Sequence, residues 1–167
     1  MHHIRQAIAA GFLTFALVPS MQGLSAMAET QKKAEYRTAV IRVDRPGPLP
    51  ISRLDLAPED LGFAGAELGT ADNAMTGGFM GQDFTTEMIA STPETAGADL
   101  ARVLDAGIPY IVLLADAPTV VRLADQAGER ALLFNAGASD DVLRGRDCRA
   151  NLLHVAPSDA MLADALA

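Results

Sequence analysis

The chain has 167 residues, and its 21 acidic against 13 basic side chains give a formal net charge of −8 at pH 7. An acidic protein repels phosphate groups, which excludes nucleic acid as a partner. A single cysteine, Cys148, excludes a small domain held together by its own disulfides. Cys148 is expected to be a small buried residue; the alternatives are pairing with a cysteine beyond residue 167 and a reactive thiol.

The first 28 residues have the pattern of a cleavable secretory signal peptide. Arg5 makes the start positive, an uncharged apolar stretch follows over 7–18, and Ala26-Met27-Ala28 has the small residues that signal peptidase requires. An uncleaved membrane anchor is the weaker alternative, because a spanning helix needs roughly 20 apolar residues. Cleavage after Ala28 removes one basic and no acidic residue, so 12 basic and 21 acidic residues remain, a net charge of −9. We predict a signal peptide at 1–28, a flexible mature N-terminus at 29–36, and an exported domain at 37–167 that does not span a membrane.

The first half of this domain is predicted to hold one strand and one helix. The stretch 37–43 is short, β-branched and apolar enough to be a strand. Prolines then recur up to Pro58 and predict an irregular loop with a short extended piece at 51–54. Pro58-Glu59-Asp60 is typical of a helix start. The helix is expected to end near Asn73, before a turn at 76–78, and a turn and an extended segment are expected over 79–89. Its predicted apolar face consists of Leu61, Ala64, Leu68 and Ala71.

From residue 98 onward, helices and strands alternate. Helices are predicted at 99–106 and 119–127, strands at 108–114, 130–134 and 151–155, and a last amphipathic helix after Pro157 with Met161, Leu162 and Leu166 as its apolar positions. Two of these segments, 108–114 and 131–134, are continuously apolar, which is typical of a parallel sheet covered on both faces. We therefore predict an α/β fold, a three-layer parallel sheet with helices on both faces. Because the last helix stops at Ala167 without a capping glycine or a closing strand, the natural chain is expected to continue.

The sequence carries no enzyme signature. Gly137-Ala138-Ser139 lacks the second glycine of a nucleophile elbow, and no phosphate-binding loop of the Walker type is present. After cleavage only His154 remains as a histidine, and its place within a predicted strand favours a structural role over a catalytic or metal-binding one. We predict a protein that is not an enzyme and that has neither a cofactor nor a metal site.

Two loops that follow predicted strands are candidate ligand contacts. Residues 115–119 and 135–140 consist of small residues with one or two polar side chains, so a ligand can approach the backbone closely. Ligands of parallel α/β sheets bind at the carboxyl ends of the strands. The alternative is that both loops are ordinary turns in which Asp and Ser cap the following helices.

Several motifs, in their order along the chain, resemble one protein family. The stretch 65–82, with Asn73, Gly77, Gly78, Phe79 and Gly81, resembles the first helix and turn of type I periplasmic solute-binding proteins of the leucine/isoleucine/valine-binding class. The stretch 151–159 looks like the strand that precedes a Pro-Ser-Asp helix start near the end of the first lobe of that class. More narrowly, the stretches 58–66, 71–73, 133–138, 143–145 and 147–154 resemble substrate-binding components of ABC transporters associated with pyrroloquinoline-quinone-dependent alcohol dehydrogenases.

The resemblance implies two lobes that close on a small-molecule ligand and deliver it to an ABC permease in the inner membrane, with this chain forming most of the first lobe in the periplasm. The loop that amino-acid-binding members use is rich in Ser and Thr, whereas here it reads Asn-Ala-Gly-Ala, which argues against an amino-acid ligand. A sensor or accessory protein that binds a dehydrogenase or a membrane receptor is the alternative function. The residues that map by position onto ligand contacts or the border of the cleft are Asp60, Leu61, Asp116, Ala117, Asn135, Ala136, Gly137 and Ala138.

Overall fold

The structure is a computed structural model that describes residues 33–44, 47, 51–56 and 58–167. The predicted signal peptide and residues 29–32 of the predicted mature N-terminus lie outside the described residues. Five strands and four α-helices follow one another along the rest of the chain. In order, they are β1 (Ala34–Val43), α1 (Phe63–Met80), β2 (Gln82–Ser91), α2 (Ala96–Asp105), β3 (Tyr110–Leu114), α3 (Ala117–Ala127), β4 (Leu132–Asn135), β5 (Leu152–His154) and α4 (Asp159–Leu166).

The strands form one sheet in the order β2-β1-β3-β4-β5, and every neighbouring pair is parallel. Helix α1 packs against β2 on one face of the sheet, while α2 and α3 pack against each other and against β1 and β4 on the other face. This confirms the predicted α/β class, a parallel sheet with helices on both faces. None of the helices in the described part of the chain is long and apolar enough to cross a membrane.

The main core lies between the sheet and the helices α2 and α3. Alternate side chains of the central strands, such as Ile41 and Leu113, are fully buried there. They meet Leu100 on α2 and Leu123 on α3, which are also fully buried and belong to the same cluster. The apolar positions of these two helices recur every three or four residues, so each presents one continuous stripe to the sheet.

Helix α1 contacts the other face of the sheet through small and hydroxyl side chains. The Thr70 hydroxyl lies 2.6 Å from that of Thr86, which lies 2.8 Å from the Thr38 hydroxyl, so a short chain of hydrogen bonds joins the helix to β2 and β1. Gly77 lies against the ring of Phe84, and a Cβ atom at this position would be 2.6 Å from the ring. Close approach therefore explains why a glycine occupies this helix position.

Two predictions for α1 are wrong. The helix continues past Asn73 and through Gly77 and Gly78 to Met80, and the chain turns at Gly81, whose φ of 69° suits glycine. The predicted apolar face points away from the sheet: Leu68 is 64% exposed. The sheet beneath α1 presents threonines, and the small-residue side of the helix packs toward them, beside a cavity of about 340 Å³ that Ala66, Thr70 and Thr86 help to line.

Other local predictions also need correction. Strand β1 begins at Ala34, inside the predicted flexible segment, because Tyr36 stacks on Phe84 of the neighbouring strand with ring centroids 4.9 Å apart. The predicted extended piece at 51–54 is a bend followed by a 3-10 turn over Arg53–Asp55. In this turn the Ser52 hydroxyl accepts a hydrogen bond from the Leu54 N–H at 3.1 Å, and the Asp55 carboxylate accepts one from the Ser52 N–H at 2.8 Å. This arrangement is a capping box.

Residues expected to be buried near the end of the chain are exposed. Cys148 is an exposed free thiol, so its predicted buried position is wrong. The apolar positions of α4 are also open, Met161 at 54% and Leu166 at 90% exposure, although the helix begins with the predicted serine cap, Ser158. The serine cap is buried, whereas none of the residues of α4 itself is buried.

Candidate functional site

A cavity of about 570 Å³ lies at the carboxyl ends of β1 and β3. Its size is within the range of small-molecule sites, about 300–1,000 Å³. A second cavity of about 530 Å³ lies at the opposite edge, beside the start of β4. Ligands of open parallel sheets bind at the carboxyl edge, so the first cavity, termed the cleft below, is the candidate site. The cleft is lined by Arg42, Val43, Asp44, Leu61, Gly62, Leu114, Ala115, Asp116 and Gly137.

Three of the residues predicted from sequence meet in this cleft: Leu61, Asp116 and Gly137. They come from three separate segments, the turn before α1 and the loops after β3 and β4. Gly137 lies so close to the β3 loop that a Cβ atom would be 2.9 Å from the Ala115 nitrogen. The absence of a side chain at Gly137 is thus what allows the two loops to touch.

Asn135 shapes the loop after β4 from beneath and does not line the cleft. It is fully buried, and its side-chain oxygen accepts hydrogen bonds from the Gly137 and Ala138 N–H groups at 3.2 and 2.9 Å. Its amide nitrogen donates to the Ala138 carbonyl at 2.7 Å and lies 3.2 Å from His154 Nδ1. Asn135, predicted from the sequence as a ligand contact, therefore holds the loop and presents no side chain to the cleft.

The other four predicted residues lie outside the cleft lining. Ala117 and Ala138 are buried behind it, and the Ala136 N–H donates to the Leu113 carbonyl at 3.0 Å. Asp60 is exposed, and its carbonyl accepts hydrogen bonds from Phe63 and Ala64 at the start of α1. Asp60, Ala136 and Ala138 thus take part in the backbone hydrogen bonds of their segments, whereas Ala117 lines a neighbouring cavity of about 420 Å³.

Arg42 and Asp44 are cleft residues that the sequence prediction missed. The Arg42 guanidinium donates to both oxygens of Asp44 at 2.8 and 3.0 Å and to the carbonyls of Glu59 and Leu61 at 2.8 and 2.9 Å. It also lies 4.4 Å from the centre of the Phe63 ring. One side chain thus attaches the turn before α1 to the end of β1. In the sequence, its only sign was an arginine that directly follows the apolar run Ala39-Val40-Ile41.

His154 lies behind the cleft, at the end of β5. Burial lowers the pKa of its imidazole, and the positive charge of Arg144 lowers it further, against a smaller opposing effect of the Leu143 carbonyl. A neutral imidazole can accept the hydrogen bond that the Asn135 amide offers to Nδ1. No three acidic, histidine or cysteine side chains of the described residues come together in a group that could hold a metal ion.

Fold and cleft together define a parallel α/β domain whose candidate site lies at the carboxyl edge of its sheet. No protein-family model matches the chain. No curated protein matches it either.

One solved structure with a similar fold is the leucine-, isoleucine-, valine-, threonine- and alanine-binding protein from Brucella ovis, in its closed conformation. The similarity covers 75% of this chain at 20% sequence identity, with a TM-score of 0.53. The chain spans 33% of the length of that protein. The likeness confirms the fold class expected from the sequence, a parallel α/β domain.

Proposed function

We propose that this chain forms the first lobe of an extracytoplasmic solute-binding protein that serves an ABC importer and has no catalytic activity. The observation that carries this proposal is the cleft of about 570 Å³, in which Leu61, Asp116 and Gly137, all singled out from the sequence, come together at the carboxyl edge of the sheet. The fold similarity to a periplasmic amino-acid-binding protein also supports it. In this proposal the solute binds in the cleft and a second lobe closes over it.

The cellular context is part of the same proposal. The signal-peptide pattern of residues 1–28 supports a periplasmic location, with an ABC permease in the inner membrane as partner. The motifs shared with transporters associated with pyrroloquinoline-quinone-dependent alcohol dehydrogenases support a link to alcohol oxidation. The solute would then be a compound related to that oxidation or the quinone cofactor itself.

A ligand screen on the full-length protein tests the proposal. We expect at least one small solute to raise the melting temperature, because a ligand that binds only the folded state stabilises it by mass action. The variant Asp116→Asn, which changes the charge of a cleft side chain, should reduce this shift. Asp83→Asn, on an exposed residue at the far end of β2, is the matched control and should leave the shift unchanged. Failure of every small solute to stabilise the protein would contradict the proposal.

A second function is supported by the outer side of α1. Large apolar side chains are exposed there, among them Met75 at 70% and Phe79 at 92%. Contiguous exposed apolar surface is typical of contacts with other proteins. A sensor or accessory protein that binds a dehydrogenase or a membrane receptor would use such a surface. Co-purification with an enzyme or receptor instead of a permease would favour this alternative.

A further inference from the structure

We propose that the cleft takes a small molecule that carries no carboxylate and that donates hydrogen bonds from hydroxyl or amino groups. This inference rests on the proposed solute-binding function and specifies the chemical class of the solute. Of the two solutes named there, it selects the compound related to alcohol oxidation over the quinone cofactor, because pyrroloquinoline quinone is a polycarboxylate.

The loop after β4 presents no backbone donor to an anion over residues 136–138. A carboxylate bound at such a loop needs free backbone N–H groups that converge on it. Here the Ala136 N–H donates to the Leu113 carbonyl, and the N–H groups of Gly137 and Ala138 donate to the buried Asn135 side chain. The Asn135 side-chain oxygen thus already accepts the hydrogen bonds that an anionic ligand group would need.

The start of α3, on the other side of the cleft, is also a poor anion site. Pro118 lies in its first turn and has no N–H, so one of the donors that a helix start normally offers is missing.

The one cation among the described lining residues is already engaged. Arg42 makes four hydrogen bonds, through all three of its nitrogens, to Asp44 and to the carbonyls of Glu59 and Leu61. Its side chain is only 16% exposed. A ligand carboxylate would have to break this arrangement, which attaches the turn before α1 to β1.

The cleft does present acceptors and apolar surface. The Asp44 side chain is 54% exposed, and each carboxylate oxygen has a second lone pair for a ligand donor besides its bond to Arg42. Val43, Leu61 and Leu114 line the same cavity and suit an aliphatic carbon skeleton. Hydroxyl or amino groups on such a skeleton match this combination of acceptors and apolar walls.

Titration of the isotope-labelled full chain followed by NMR tests the inference. Four probes share a three-carbon skeleton: 1-amino-2-propanol, propane-1,2-diol, lactate and alanine. We expect the amino alcohol or the diol to shift the backbone amide signals of Val43, Ala115 and Gly137 saturably, and lactate and alanine to bind at least about tenfold more weakly, a difference of about 1.4 kcal/mol.

The outcomes separate the two proposals. If lactate or alanine binds as well as the amino alcohol or the diol, the inference is wrong while solute binding stands. If none of the probes shifts the cleft amides, the inference is overturned, and the ligand screen alone then decides the proposed function.

A pair of variants tests the acceptor directly. Asp44→Asn should weaken binding of the amino alcohol or the diol about five- to tenfold, whereas Asp83→Asn should bind like the natural sequence. Equal binding by the Asp44 and Asp83 variants would overturn the assigned role of the carboxylate. If Asp44→Asn loses the dispersed spectrum of a folded protein, Asp116→Asn serves as the second cleft variant, with the same expected loss and the same contrary outcome.

Discussion

Gly137 lies where two loops of the cleft touch, and backbone atoms of Ala115 and Leu114 fill the space that a side chain would need. Gly137→Ala would place a methyl group 2.9 Å from the Ala115 nitrogen, so the loops must move apart. We expect a loss of about 1–3 kcal/mol in the free energy of unfolding, the usual cost of overpacking, measured by urea denaturation.

The same substitution at Gly69 is the control, because nothing lies within 4 Å of a Cβ atom there and the residue is in the interior of α1. Gly69→Ala should increase stability by about 0.5–1 kcal/mol, since alanine favours the helix. A Gly137→Ala protein as stable as Gly69→Ala would show that the loop contact is not tight.

His154 should make stability depend on pH near neutrality. Its pKa in the folded protein is lowered, mainly by burial and then by Arg144, from the ordinary value of 6.5. The unfolded chain therefore binds more protons than the folded one as the pH falls through about 6.5, and the folded state loses stability until its own lower pKa is passed.

Urea unfolding between about pH 7.5 and 5.5 measures this loss, in a range above the ordinary carboxylate pKa values. In His154→Gln the decline should be smaller. An unchanged decline in that variant would assign the pH dependence to other groups.

At the scale of single residues, the sequence indicated which loops border the cleft but not which way their side chains face. Asn135 is a polar residue in a loop of small residues, as a ligand contact would be. Its side chain is buried because its position in β4 faces the covered side of the sheet. Arg42 was missed for the converse reason. Its partners Glu59 and Leu61 are joined to it by tertiary structure, 17 and 19 residues along the chain.

At the scale of elements, α1 and α2 offer a direct comparison of exposed and buried leucines. Leu68 on α1 is 64% exposed and Leu100 on α2 is fully buried. Leu68→Ala should change the free energy of unfolding by less than about 0.5 kcal/mol. Leu100→Ala should lower it by about 2–5 kcal/mol, because it leaves a cavity in the core.

Chemical denaturation of both variants provides the measurement. A large loss for Leu68→Ala would instead support the burial expected from the sequence pattern. The pattern misled because apolar spacing predicts which residues share a face of a helix, but not what the sheet beneath offers. Here the sheet offers Thr38 and Thr86, and the small side of the helix fits them.

At the scale of the whole molecule, export is the property to test. Cleavage after Ala28 predicts a mature protein that begins at Glu29 and is recovered in the periplasmic fraction, checked by intact mass and N-terminal sequencing. Replacing Ala26 and Ala28 with bulky residues should block cleavage, while the same change at Ala34, inside β1, should not. A mature protein that retains residues 1–28 would contradict this prediction.

The fold as a whole was more predictable than its parts. From residue 98 onward, continuous apolar strands separated by periodic helices led to the parallel sheet that the structure confirms, with boundaries that differ by a few residues. The strand order was not accessible from the sequence. It depends on β1 pairing with both β2 and β3, which local patterns do not encode.

The interior position of β1 in the sheet also affects how the chain folds. The strand lies between β2 and β3, each reached only after an intervening helical segment, and parallel pairing leaves no hairpin along the way. Synthesis has to reach Leu114 before β1 can pair on both sides. Because such contacts between distant segments form slowly, a newly made chain would stay extended for longer than one rich in hairpins, as passage through a translocation channel requires.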